Sequence, residues 1–187
     1  MDDDTSVLEV QPGSGQFGGF HLLTLIDAEK PQIDLNWLWQ QVQTQDYAFD
    51  DFSRGKVEWF LSLLADQSGR TKLLLIGDHG LFFVQNIMKG GDANIHFVVW
   101  DRNFSLHRER AYGYELCDWL YYGIGVHRVT GCIPSYNTLA PRFAASMGMR
   151  YEGELQQAVL WKDKYWNVQL FGMLEPWYRA RRERVHK

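Results

Sequence analysis

Apolar positions along this chain keep two different spacings, and the switches between them outline its elements. Residues 20–26 form a short apolar, partly β-branched run closed by Pro31, which reads as a strand. Behind Asp34, a residue type that caps helices, Leu35, Leu38, Trp39 and Val42 recur at helical spacing. Residues 44–51, polar and aromatic, read as a loop. Ser53 is then positioned to cap a second helix with the face Val57, Phe60, Leu61 and Leu64, which Gly69 closes. Three strand-like runs follow at 72–76, 81–88 and 93–100, separated by Asp78-His79-Gly80 and Gly90-Gly91. Turns this short predict an antiparallel meander. A polar loop at 101–110 leads into an aromatic-rich helix, 111–122, stopped by Gly123-Ile124-Gly125. Strand 127–133 ends at Pro134, and Asn137 caps a short helix that Gly148 terminates. Residues 149–161 and 165–173 form a last hairpin around Lys162-Asp163-Lys164.

Helices between the later strands force crossover connections, so the sheet is expected to be mixed rather than wholly antiparallel. The length of 187 residues suits one domain, and 45% hydrophobic, 15% aromatic and 22% charged residues exclude a disordered or collagen-like polymer. A chain of this size buries roughly 70% of its unfolded surface and needs no metal or disulfide to fold. The net charge of −4 gives no general case for nucleic acid or an anionic membrane. Cys117 and Cys132 have no metal-ligand spacing and read as reduced, buried thiols. Asp2, Asp3 and Asp4 have the wrong sign for a secretory leader, and no apolar run approaches the ~20 residues of a membrane helix. The expected location is the cytoplasm, or a particle assembled there. Residues 1–19 read as an acidic, Gly-rich arm, 20–177 as the domain and 178–187 as a basic tail. Arm and tail are candidate contacts for a homo-oligomer or assembly partner.

Three groups of residues carry a resemblance: Gly125-Val126-His127-Arg128-Val129, then Asn137, then Gly148-Met149-Arg150-Tyr151-Glu152-Gly153. Together with 166–172 and Pro176-Trp177 they make residues 93–177 similar to the GNAT N-acyltransferase superfamily, most nearly its branch that acetylates ribosomal-protein N-termini. The resemblance implies an α/β (α+β) fold whose central mixed sheet splays between strands 4 and 5, flanked by helices. It implies acetyl-CoA or another acyl-CoA in that gap, its pantetheine paired with the strand carrying Val98, Val99 and Trp100, and an amine acceptor that is a protein N-terminus or a small molecule. Asn137 would lie against the ligand as well as capping its helix. His96 becomes the candidate general base. Many members carry a Tyr acid seven residues after the Asn; here that position is Ala144, which leaves Ser135 or Tyr136 for the role.

The family's diphosphate turn usually reads Arg/Gln-x-x-Gly-x-Gly/Ala. Here the equivalent positions hold Phe104, His107 and Glu109, which add bulk and a negative charge where backbone amides should meet phosphate. Arg102, Arg108 and Arg110 would compensate as point charges, and His107 would adjoin the phosphates. Three functional classes therefore remain open. One is an acyl-CoA-dependent N-acetyltransferase, impaired or atypical. Another is an inactive GNAT-fold module acting through protein contacts, for example in a phage virion. A domain that holds CoA as a sensor is a third.

Overall fold

The computed structural model describes residues 21–27, 31–66, 68–106 and 108–185. The arm expected at 1–19, His107 and the last two residues of the basic tail lie outside them. Strands β1 (Leu23–Leu25), β2 (Lys72–Ile76), β3 (Gly80–Gln85), β4 (Asp92–Val99), β5 (Arg128–Pro134), β6 (Arg150–Trp161) and β7 (Lys164–Leu174) form one sheet in the order β1-β2-β3-β4-β5-β7-β6. All neighbours are antiparallel except β4 and β5, which run parallel. The expected meander and mixed sheet are both present.

Among the described residues five α-helices flank the sheet: α1 (Leu35–Gln43), α2 (Val57–Leu64), α3 (Arg110–Asp118), α4 (Ala140–Met147) and α5 (Glu175–Val185). In α1 the Asp34 side chain accepts the Asn36 N–H at 2.8 Å, and the helical spacing of Leu38 and Val42 turns both fully inward. Burying each such side chain contributes about 1.5–3 kcal/mol. These residues join Phe49, Phe60, Leu73, Leu81, Phe83 and Val98 in the core beneath α1 and α2. On the other face α3 and α4 pack Leu116, Ala140, Phe143 and Met147 against Phe82, Val84, Val129 and Ile133. Beyond Asp118 the α3 helix widens into a π turn, Trp119–Ile124, which ends at Gly125 with φ of +83°. The Tyr121 hydroxyl anchors that turn by donating to the Met173 carbonyl at 2.7 Å.

Three local expectations need correction. Helix α2 begins only at Val57, without a side-chain cap, because the Ser53 hydroxyl turns back to Asp50 Oδ1 at 2.6 Å. Leu61 is 41% exposed, whereas Trp59, Leu63 and Leu64 pack around buried Phe60, so the apolar face lies to one side of the one anticipated. Gly69, φ +71°, serves the turn after the helix rather than its end. Cys117 is buried, but Cys132 is only half-buried; both are free thiols.

The described part of the tail is helical, within α5, and engaged with the body. Tyr178 is fully buried and donates to Asp118 Oδ1 at 2.7 Å, Arg182 pairs with Asp118 at 2.7 Å, and Arg181 donates to the Ser146 carbonyl. No helix among the described residues is long and apolar enough to cross a membrane.

Candidate functional site

Strands β4 and β5 are joined for only three residue pairs, Asp92↔Arg128, Ala93↔Val129 and Asn94↔Thr130. Past Thr130 each strand keeps a different partner. β4 stays with β3 as far as Gly80↔Val99, while β5 stays with β7 as far as Pro134↔Val168. The two strands therefore lose each other and leave a wedge in the middle of the sheet. Its closed end is pinned by side chains. Thr130 Oγ1 donates to Asp92 Oδ2 at 2.6 Å and accepts Arg128 Nε–H at 2.9 Å, and Arg128 grips Glu152 through both terminal nitrogens. That grip holds the Glu152 carboxyl below its usual range. At the open end the Phe97 ring meets Phe143 of α4 edge-on, centroids 5.0 Å apart.

The wedge opens a cavity of about 380 Å³ lined from both faces of the sheet. Strand alternation decides which side chain goes where. Ile95, Phe97 and Ile133 point toward α4 and meet Ala140, Phe143 and Ala144, so that half is apolar. Gln85, His96 and Cys132 share the opposite face with Phe83 and Val98, under the segment that supplies Tyr47, Asp50 and Ser53. The polar chemistry of the cavity thus lies on the α1/α2 side. Burial lowers the His96 pKa below its ordinary value, so the imidazole is neutral near pH 7. Tyr136 stacks on Trp161, with centroids 4.2 Å apart, and meets Trp166 edge-on at 5.8 Å. Burial, aided by the Asp50 carboxylate, pushes its hydroxyl up to about 12. Asn137 lines the same cavity while its Oδ1 accepts the N–H groups of Leu139 (3.2 Å) and Ala140 (3.1 Å) at the start of α4. Ser135 is not among the lining residues; its N–H donates to the Asn167 carbonyl at 2.9 Å.

The edge of β4 offers its backbone selectively. The Trp100 N–H donates to His79 O at 3.0 Å, and Val98 lies opposite Leu81, so the backbone groups of both residues face β3. Alternation turns the N–H and C=O of Phe97 and Val99 toward the wedge instead. Val99 is already paired: its N–H donates to the Tyr47 hydroxyl, which donates in turn to the Val99 carbonyl, both at 3.0 Å. Phe97, Tyr47 and Asp50 are the site residues that sequence reasoning missed. The period of 2 along β4 was enough to find Phe97; nothing local marks Tyr47 or Asp50.

The loop after β4 folds on itself. Asp101 Oδ1 accepts the Asn103 N–H at 2.8 Å, and its other oxygen meets His79 Nδ1 at 2.7 Å. These contacts hold the Asp101 carboxyl below its usual range. Phe104 donates its N–H to Asp101 O at 3.2 Å and stacks on the His79 ring at 4.3 Å. Arg108 and Glu109 both donate their N–H groups to Ser105 O at 2.9 Å, and Leu106 is buried. The amides of residues 103, 104, 108 and 109 are therefore occupied by the loop's own turns. Arg102, Arg108, Glu109 and Arg110 are exposed, and α3 starts at Arg110 without a side-chain cap.

No protein-family profile matches the chain, and no curated protein matches its sequence. Solved structures do match its shape. The spermidine/spermine N-acetyltransferase SpeG from Vibrio cholerae superimposes with a TM-score of 0.68 at 14% identity, over 86% of this chain and 98% of that one. SpeG in complex with CoA and spermine gives 0.65 at 14% identity, over 84% and 98%. A GNAT-family acetyltransferase from Bacillus anthracis gives 0.57 at 16% identity, over 82% and 99%. With the seven-stranded mixed sheet and the parallel pair that parts after Asn94 and Thr130, these matches give the chain the GNAT acetyltransferase fold.

Proposed function

We propose that the wedge between β4 and β5 is the site of an acyl transfer from acyl-CoA to an amine. One observation carries the reading: the cavity at the parting of the parallel strands brings a neutral His96 and a protonated Tyr136 to one chamber. Bound acyl-CoA would supply the acyl group as a thioester. The rest of the chemistry falls to the chain. The amine approaches from the α1/α2 side, where the polar groups lie, and its nitrogen forms the new bond to the acyl carbon as the bond from that carbon to sulfur breaks. His96 takes the proton that the nitrogen gives up, and Tyr136 returns one to the departing thiolate. Holding amine and thioester together in the wedge supplies much of the rate enhancement that such a transfer needs.

The residues suit one part of the ligand and not another. The backbone groups of Phe97 and Val99 suit the amides of pantetheine. The loop at 101–109 does not suit the diphosphate, since four of its amides are taken. Arg102, Arg108 and Arg110 are left to hold the phosphates by charge alone, without the geometry of a ring of amides. The amine would be a protein N-terminus or a small molecule, and the protein would act in the cytoplasm or in a particle assembled there.

That same loop favours a second reading, in which catalysis has been lost and the domain is an assembly module, for example in a virion. Titration with acetyl-CoA by calorimetry, followed by mass spectrometry of an amine panel, separates them. Binding with transfer supports the enzyme; binding without transfer favours a CoA sensor. Absence of binding at millimolar ligand, with assembly lost on deleting residues 1–19, favours the module.

A further inference from the structure

Tyr47 stands in the wedge where a ligand's amide would stand. Val99, on the unzipped edge of β4, offers one donor and one acceptor, and a single hydroxyl satisfies both at 3.0 Å each. Burial raises the phenol above its ordinary value, so it retains the proton that the second contact requires. Tyr47 belongs to the 3-10 turn Asp46–Ala48, which is fastened from outside to the β6–β7 hairpin. Trp161 Nε1–H donates to the Asp46 carbonyl at 3.1 Å, and the Asp51 N–H donates to the Leu160 carbonyl at 3.0 Å. The Asp51 carboxylate accepts the N–H groups of both Lys162 and Asp163 at 3.0 Å, and Asp46 pairs with Arg54 and Lys162. These side-chain contacts are exposed, and exposed contacts are individually weak. Asp46 and Tyr47 can therefore be released at little cost, while Phe49, buried in the core beneath α1 and α2, keeps the rest of the segment in place.

We infer that Tyr47 is a displaceable plug: with residues 44–54 fastened to the hairpin, its hydroxyl occupies the Val99 backbone pair, and a thioester arm must replace it there before reaching His96. This rests on the reading of the wedge as an acyl-CoA site. Occupancy of the plugged state would lower the apparent affinity by the fraction of molecules that are open, and removing the plug would restore it.

The test is titration of acetyl-CoA into the full chain and into Tyr47→Phe, which keeps the ring and removes both hydrogen bonds. Binding is expected to tighten by about five- to thirtyfold, the worth of one to two net hydrogen bonds. Hydrogen exchange at the Val99 N–H should also quicken in the unliganded variant. Asp51→Ala leaves Tyr47 intact and loosens the turn by removing its two carboxylate bonds to the hairpin; it is expected to tighten binding too, by less, and it carries the test if Tyr47→Phe does not fold. Equal or weaker binding by the variants overturns the plug and leaves the acyl-CoA reading standing. Absence of binding to all three proteins at millimolar acetyl-CoA overturns that reading and the plug with it.

Discussion

Replacing Thr130 by Val tests what holds the closed end of the wedge. The two side chains have similar shape, and Val suits a strand at least as well as Thr, so the change isolates the hydroxyl. That hydroxyl donates to Asp92 at 2.6 Å and accepts from Arg128 at 2.9 Å. A net hydrogen bond contributes about 0.5–1.5 kcal/mol, and a buried partner left unpaired adds to the loss. Here the added loss is small, because the side chains of Asp92 and Arg128 are 34% and 28% exposed and Arg128 keeps Glu152. Two bonds at the lower half of the range give a loss of about 1–2 kcal/mol. For a chain of this size that lowers the thermal midpoint by about 2–8 °C. Far-UV circular dichroism melts and urea titrations measure it directly. Amide exchange at residues 92–94 and 128–130 should speed up alongside, since those pairs are the whole of the β4–β5 ladder. A midpoint equal to or above that of the unmodified chain would refute the idea that this network pins the strands.

Gly80→Ala is expected to destabilise by about 1–3 kcal/mol in urea titration, because a Cβ there would sit 2.5 Å from the Val98 carbonyl oxygen and 3.2 Å from Val99 Cα, main-chain atoms that cannot turn aside. His96 has its pKa depressed by burial, so the folded chain binds fewer protons than the unfolded one just below the ordinary value of about 6.5. Stability should fall as pH drops through that window, and His96→Gln should flatten that part of the pH–stability curve; an unchanged slope counts against burial of a neutral imidazole. Acetyl-CoA and S-acetylpantetheine should bind with similar affinity and weak salt dependence. Much tighter, strongly salt-dependent binding of the CoA form would show that the arginines of the loop hold the diphosphate after all.

The sheet was legible because its strands are punctuated locally. Asp78-His79-Gly80 closes a tight hairpin whose register, Ile76↔Gly80, follows from the turn, and the run at 72–76 coincides with β2. Helix α2 was misphased because Leu61 is apolar yet exposed, and hydrophobicity alone cannot tell an exposed leucine from a buried one. Of the residues that line the cavity, His96, Tyr136 and Asn137 were reachable from the sequence, since each lies on or beside an element with a clear pattern. Tyr47 was not. Its partner Val99 lies 52 residues away, and the contact is to backbone, which leaves no pattern of side-chain types to read. The pairing of Arg128 with a carboxylate was foreseeable as chemistry, whereas the choice of Glu152 needed the β6–β7 register, which shifts between Tyr151 and Gly153.

The two halves of the proposed CoA site have separate physical origins in this chain. The slot between the strands is topological. It exists because β4 and β5 each continue with a different neighbour, and none of the described residues of the loop at 101–109 belongs to those strand ladders. The phosphate cradle that the resemblance implies would depend instead on free amides and small residues, whereas the loop at 101–109 uses described residues for packing. Phe104 stacks on His79, Leu106 is buried, and Asp101 ties the loop to the β2–β3 turn. Restoring glycines at 107 and 109 alone would therefore not rebuild the cradle, because the amides of Asn103 and Phe104 would still be held by Asp101. A chain can lose the cradle while keeping the slot, since substitutions in the loop leave the strand pairing untouched. On the proposed acyl-CoA reading, a ligand in the wedge meets the backbone of Phe97 and Val99 and the apolar wall of α4, with the loop acting chiefly as a structural brace.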